Sequence, residues 1–319
     1  MNAYEALKVH SKPEFAEHLK NIELVNADLF NKEKILSFGK KYDSMPKDVE
    51  EMVLEALEEI KKDEGYIKIA NAIYYCLKNS IDPDFFKPDF KEGIKAQFAL
   101  FFPVWYMLEE FAYDMEKRKI DKLIIKNSLA PVCNCIKRNE TLSGEMGTSA
   151  YYFWIYKYAK GELFRINNFE YETSKKDGKD IVNIHIPAGI KLNVYENLKS
   201  FMGAIEFFDK FYPELKMTGV MCESWLLSKQ IEEVMGGPTN ISRFGDMFEL
   251  YDIGDTLGDA VFRFVYNFVA PYPPVETLPE NTSLQRNLKE YMMAGKRVYA
   301  MGGTILREEI ERRIKEFEA

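Results

Sequence analysis

The chain has 319 residues, 46% hydrophobic and 14% aromatic, enough to fill one large core or two ordinary ones, and this excludes a disordered chain. A formal net charge of -8 and a pI near 5.3 argue against a dedicated nucleic-acid binder, because such proteins neutralise phosphates with an excess of Lys and Arg. No apolar run reaches the ~18 residues of a membrane span, and the opening MNAYEALKVHSKPEF lacks the apolar core of a signal peptide, so no membrane contact and a cytoplasmic location are expected.

From about residue 13 to residue 160 the pattern is helical. Val49, Met52, Val53, Ala56, Leu57 and Ile60 recur at three and four residues and so share one helix face, with the carboxylates between them in water. Pro46 stands where a first helical turn tolerates proline, and DPDFFKPDF (82–90), with two prolines, reads as a connector. Further helices are expected over 93–117, 119–137 and 147–160, the last carrying the aromatic run SAYYFWIYKYAKG, which reads as core. Cys76, Cys133, Cys135 and Cys222 show no Cys-x-x-Cys spacing, so free thiols and no metal are expected.

The period changes after Gly161. GELFRINNFEYETSKKDGKDIVNIHIP holds two runs rich in β-branched and aromatic residues around Asp177-Gly178, a strong turn signal, and predicts an antiparallel hairpin. In its second strand Ile181, Asn183 and His185 point to one face and Val182, Ile184 and Ile186 to the other. A helix is expected from about Val194 to Phe211, a strand over KMTGVMCESW, and a short helix ending before Gly236-Gly237-Pro238. MFELYDI reads as a strand, LGDAVFRFVYNF and TSLQRNLKEYMMAG as helices, and RVYAMGGTI as a last strand. The mixed-sign run REEIERRIKEFEA suits a solvated helix face. The fold class is therefore α+β: a helical N-terminal domain over 1–150 and, over 151–319, a mixed α/β domain whose sheet has helices packed on it.

GELFRINNFEYE, NIHIPAG, FFDKFYPE, CESWLLS and TNISRF occur in the order and spacing of a bacterial family of acyltransferase-like proteins, in which a helical N-terminal domain precedes a GNAT-like C-terminal domain. The chain resembles that family over roughly half its length, and CESWLL and HIPAG are the most specific motifs. Relatives often carry an arginine in a Leu-Gly-Arg-Leu-Gln-Phe-type run, where this chain reads Ile166-Asn167-Asn168-Phe169-Glu170-Tyr171. The resemblance implies a central, mostly antiparallel sheet with a splayed strand pair that receives the pantetheine arm of acetyl-CoA or a longer acyl-CoA as co-substrate. It also implies pyrophosphate held by backbone N–H groups at a helix N-terminus, here near Ala188 and Gly189, with Arg243 assisting. The implied reaction is acyl transfer to the amine of a small acceptor.

Histidine is the residue type suited to proton transfer near neutral pH, and His185 ends a strand where the cleft is expected to open; it is either the general base or a strand-end histidine with a hydrogen bond. Glu223 either deprotonates or binds the acceptor's ammonium. Beside it, Cys222 and Ser224 are candidates for substrate contact, with a buried inert thiol and an N-cap as their structural alternatives. Tyr251, at another strand end, is a candidate proton donor or a packing residue. Gly302 and Gly303 suit a close backbone approach. A non-catalytic ligand-binding protein on the same fold is the competing reading, and the oligomeric state stays open.

Overall fold

The computed structural model describes residues 27–82, 88–254 and 260–319. The expectations for the opening segment, for 13–26, for 83–87 of the proline connector and for 257–259 lie outside the described residues.

The apolar stripe of residues 47–61 does what its spacing predicts: Val49, Val53, Ala56, Leu57 and Ile60 are all fully buried. The first unit, up to Phe164, places this helix, α2 (Lys47–Lys61), among α1 (Lys32–Tyr42), α3 (Glu64–Lys78), α4 (Ile94–Phe98), α5 (Phe101–Lys117), α6 (Lys122–Ser143) and α7 (Tyr152–Ala159). Asn31, Asp63 and Asp121 accept backbone N–H groups at the starts of α1, α3 and α6. Aromatic packing fixes the centre: Trp105 stacks on Phe101 at 5.2 Å, meets Phe38 edge-on at 5.0 Å, and donates its indole N–H to the Ile35 carbonyl. The segment expected as one helix over 93–117 is two, broken between Phe98 and Phe101.

The second unit, from Arg165, is built on one six-stranded mixed sheet. Its strands are β1 (Leu163–Ile166), β2 (Phe169–Lys176), β3 (Lys179–His185), β4 (Gly219–Ser224), β5 (Glu249–Asp252) and β6 (Met301–Leu306), in the spatial order β1-β2-β3-β4-β6-β5. The β3/β4 pair is parallel, and the β2/β3, β4/β6 and β5/β6 pairs are antiparallel. The α+β class with a mostly antiparallel sheet is therefore the observed one.

The first expected run of the hairpin is two strands. Asn167 takes a φ of 51°, a left-handed conformation that Asn tolerates, and the chain turns back there. Asp177 and Gly178, at φ 51° and 76°, make the turn that the sequence announces.

Helix α8 (Val194–Phe211) covers one face of the sheet, its Phe201 lying 5.5 Å from Phe169 and its Ser200 hydroxyl bonded to Tyr171 at 2.7 Å. Beyond β4 follow α9 (Gln230–Met235) and α10 (Asn240–Gly245). With α11 (Ala260–Val265) and α12 (Ser283–Met293), α9 encloses a smaller apolar core around Trp225, Ile231, Val261 and Leu288, and α13 (Arg307–Glu318) ends the chain.

A candidate active site where two strands part

The residues that bear chemistry line the sheet face opposite α8. Strand alternation puts Tyr171, Val182, Ile184, Val220 and Cys222 toward the α8 side, and Glu170, Glu172, Asn183, His185, Met221 and Glu223 on the other. Pairing between β3 and β4 consists of Val182 opposite Val220 and Asn183 opposite Met221. Below these rungs the strands are tied, since Thr218 donates both its N–H and its hydroxyl to the Asp180 carbonyl. Above them each strand keeps its outer partner: β3 stays paired with β2 to His185, and β4 with β6 to Ser224. His185 and Glu223, which continued pairing would set side by side, are not paired. The result is a wedge with an open end, since the β3/β4 ladder stops where both strands continue with their outer partners.

One lip carries a carboxylate–imidazole pair. The register set by the Asp177–Gly178 turn places Glu170 directly opposite His185 and Glu172 opposite Asn183. Glu172 Oε2 lies 2.8 Å from His185 Nε2, both side chains about one-fifth exposed. A carboxylate at that distance favours the tautomer with the proton on Nε2, which makes Nδ1 the basic nitrogen. Asn183 donates its amide N–H to the same Glu172 oxygen at 3.5 Å. Its Oδ1 is buried and has no hydrogen-bond partner among the described residues.

The other lip carries Glu223 and Tyr251. Register sets both opposite Gly302 of β6, one from each side. A Cβ on Gly302 would stand 2.2 Å from the Tyr251 ring, so the ring lies across a strand that only glycine leaves clear. The phenol thereby donates to Glu223 Oε1 at 3.4 Å, and Lys176 Nζ lies 3.3 Å from the ring centroid. Burial pushes the Tyr251 phenol above its ordinary value against the pull of Lys176, so it is protonated at neutral pH.

The model of the GNAT-like C-terminal domain family matches residues 107–305, well over half of the chain. The chain belongs to that family. Among solved structures, an acyltransferase in complex with CoA and 10C-teicoplanin matches at a TM-score of 0.79 and 18% identity, over 96% of this chain and 99% of that one. An acyltransferase in complex with decanoyl-CoA and teicoplanin matches at 0.77 and 18%, over 96% and 99%. A mutant acyltransferase in complex with octanoyl-CoA matches at 0.76 and 18%, over 95% and 99%. At that identity the likeness is one of fold. A comparison with curated protein sequences finds no match.

The other sequence candidates in this GNAT-like chain separate by position. Ala188 and Gly189 form an exposed turn after β3, ahead of α8. The Asn193 side chain caps α8 by accepting the Glu196 N–H, and Glu196 puts a carboxylate in the first turn. The amides nearest the helix start suit a phosphate, but a carboxylate beside them opposes it. Arg243 is exposed in the last turn of α10.

Ser224 accepts the Leu226 N–H at 3.1 Å, which is the capping geometry. Cys222 stands away from His185 and Glu223: it points to the α8 side, is 1% exposed, and burial drives its thiol far above the ordinary value. A buried neutral thiol is no nucleophile. Among the described residues no group of three or more His, Cys, Asp or Glu side chains is placed to hold a metal, and no helix is long and apolar enough to cross a membrane.

Glu172 and Asn183 are the site residues that sequence reasoning missed. The signal was there: a two-residue turn at Asp177–Gly178 fixes the hairpin register, and that register alone puts Glu172 next to His185 on one face.

Proposed function

We propose that the protein is an N-acyltransferase that moves an acyl group from an acyl-CoA to the amine of a small acceptor. The observation that carries this reading is the parting of β3 and β4 beyond Asn183 and Met221, with a carboxylate-bonded histidine on one lip and a protonated tyrosine on the other. The unpaired strand edges suit the amide-bearing pantetheine arm, which hydrogen-bonds as a strand does. The turn at Ala188 and Gly189 and the start of α8 suit the pyrophosphate, with Arg243 as an assisting cation. The structural neighbours that were crystallised with octanoyl-CoA and decanoyl-CoA support a medium-length acyl chain as the donor to try first.

In this reading His185 Nδ1 takes a proton from the acceptor's ammonium, and Glu172 holds the ring and stabilises the imidazolium that forms. The freed nitrogen lone pair attacks the thioester carbonyl carbon; a C–N bond forms and the C–S bond breaks. Tyr251 gives its proton to the departing thiolate and regains one from the nitrogen, leaving an amide and the free thiol of CoA. Glu223 faces the acceptor and balances its positive charge. Positioning two reactants accounts for much of the acceleration such a reaction needs. Four buried free cysteines support a reducing compartment, the cytoplasm.

His185→Ala should lower turnover of decanoyl-CoA with an amine by ~100-fold or more and leave the melting temperature nearly unchanged. An unchanged rate would return His185 to a structural role. One observation favours a second reading, a non-catalytic ligand-binding protein on this fold: Glu196 sits in the first turn of α8, where a pyrophosphate would be held. In that case acyl-CoA binds without turnover in the wild type as well.

A further inference from the structure

A buried amide oxygen without a partner has lost its water and gained nothing in exchange, so its persistence calls for an explanation, and Asn183 Oδ1 is such an atom. Which end of this amide is unpartnered follows from Glu172. An ionised carboxylate only accepts, so the amide turns its N–H toward Glu172 and its oxygen away. The missing partner is therefore a hydrogen-bond donor. A thioester carbonyl or the oxyanion formed from it offers no hydrogen, so neither is the partner that Oδ1 lacks.

Position narrows the donor further. Asn183 forms the last rung before the wedge opens, and His185 follows two residues later on the same face, about 7 Å along the strand. Both side chains bond one oxygen of Glu172, at 3.5 Å and 2.8 Å. A nucleophile that sits between them meets two acceptors, Asn183 Oδ1 and His185 Nδ1. An alcohol has one hydrogen on its nucleophilic atom and gives it to the base. A primary amine keeps a hydrogen for a second acceptor while the first is removed, and its ammonium form is also drawn to the Glu172 carboxylate.

We propose that Asn183 is a specificity-determining residue whose side-chain oxygen holds an N–H of the acceptor beside His185, so that the site selects a primary amine over an alcohol. This rests on the acyltransferase reading and adds the residue that reads the amine. The pantetheine arm also carries amide N–H groups, and the test separates the two sources.

The experiment uses the full-length protein, with decanoyl-CoA as donor and n-butylamine or n-butanol as acceptor. Decanoyl-CoA affinity is read by calorimetry and the amide or ester product by mass spectrometry. Wild type should form N-butyldecanamide at least ~10-fold faster than butyl decanoate under matched conditions. Asn183→Leu, of similar volume, should raise the KM for n-butylamine by ~10-fold or more and leave the decanoyl-CoA Kd within about twofold. Its melting temperature should change little, because relief of the unpartnered Oδ1 offsets loss of the long 3.5 Å N–H bond to Glu172. Asn183→Ser, which restores a hydroxyl acceptor, should recover part of the loss and covers the case in which the leucine variant folds poorly.

A decanoyl-CoA Kd weakened by the same factor would assign the N–H to the pantetheine arm and overturn the amine assignment. An unchanged amine KM in the leucine variant would also overturn it, as would a wild type that binds decanoyl-CoA yet forms no amide above the uncatalysed rate. Failure of wild type to bind decanoyl-CoA at all is a different result: it removes the acyltransferase reading itself.

Discussion

In the proposed reaction Glu172, 2.8 Å from His185 Nε2, orients the imidazole, and the two are expected to act as one unit. Glu172→Gln keeps a hydrogen-bonding side chain and loses the charge that stabilises the imidazolium, and turnover should fall by ~10-fold. If the pair is a unit, adding His185→Ala to Glu172→Gln should cost far less than His185→Ala costs in the wild type. Additive losses from the two changes would show that they act separately. On the other lip Gly302→Ala would drive a methyl into the Tyr251 ring, where the Cβ falls 2.2 Å from the ring carbon. The ring must leave Glu223, and overpacking of this kind costs about 1–3 kcal/mol. A variant that melts with the wild type and keeps full turnover would mean that the Tyr251–Glu223 contact contributes nothing. Cys222, neutral and buried, should resist iodoacetamide at pH 7.5 in the native protein and react only after unfolding. Rapid native alkylation of Cys222, seen by peptide mass spectrometry, would contradict the buried, neutral thiol.

At the scale of elements, two predictions concern stability. Gln97, on α4, is 2% exposed, and its Oε1 accepts both the Thr148 and the Ser149 N–H, each at 3.1 Å, while its backbone carbonyl takes the Thr148 hydroxyl. Asn139, on α6, accepts the Ala150 N–H on the same stretch of chain. These buried amides hold the lead-in to α7 in place of ladder bonds. Gln97→Leu would leave the buried Thr148 N–H and the half-buried Ser149 N–H without this acceptor and should lower stability by about 2 kcal/mol, read as a fall in melting temperature; an unchanged melting temperature would contradict it. In α13 the Arg312 and Arg313 guanidiniums beside Glu309 hold its carboxyl down at about 2, against an ordinary 4.5. A depressed carboxylate contributes stability above its ordinary value and loses it as pH falls toward the depressed one, so the contribution fades between about pH 4.5 and 2. Glu309→Gln should therefore be closer to the wild type at pH 3 than at pH 7; an equal difference at both pH values would show that the ion pairs are inert.

The elements themselves were largely legible in the sequence, because each is encoded locally. Val194–Phe211 and the stripe of α2 follow from apolar spacing, and the β2/β3 hairpin from Asp177-Gly178. What local reading missed has a physical cause in each case. The Asn167 turn was taken as strand because its signal is one left-handed Asn rather than an Asn-Gly pair. The break between Phe98 and Phe101 falls in an apolar run whose one mark is Pro103 in the first turn of α5, a signal that a long apolar helix pattern hides. Of the site, His185, Glu223 and Tyr251 were named from strand ends and resemblance. Their partners Glu172 and Asn183 required the register of two strands at once, and the wedge itself required knowing where the β3/β4 pairing stops.

For the whole molecule, the family match begins at residue 107, inside α5, and runs to residue 305, near the end of β6. It thus takes in part of the helical unit as well as the sheet. The acyl-CoA reading depends on the whole arrangement of the second unit: a parallel pair tied at one end and parted at the other, a turn and helix start beyond one lip, and polar side chains gathered on one face. The measurement that tests it most directly is a calorimetric titration of the full-length protein with decanoyl-CoA, with free CoA and ATP as controls. A micromolar constant for decanoyl-CoA, about -8 kcal/mol, with weaker binding of CoA and none of ATP, is the predicted result. No binding of decanoyl-CoA up to millimolar concentration would contradict the account.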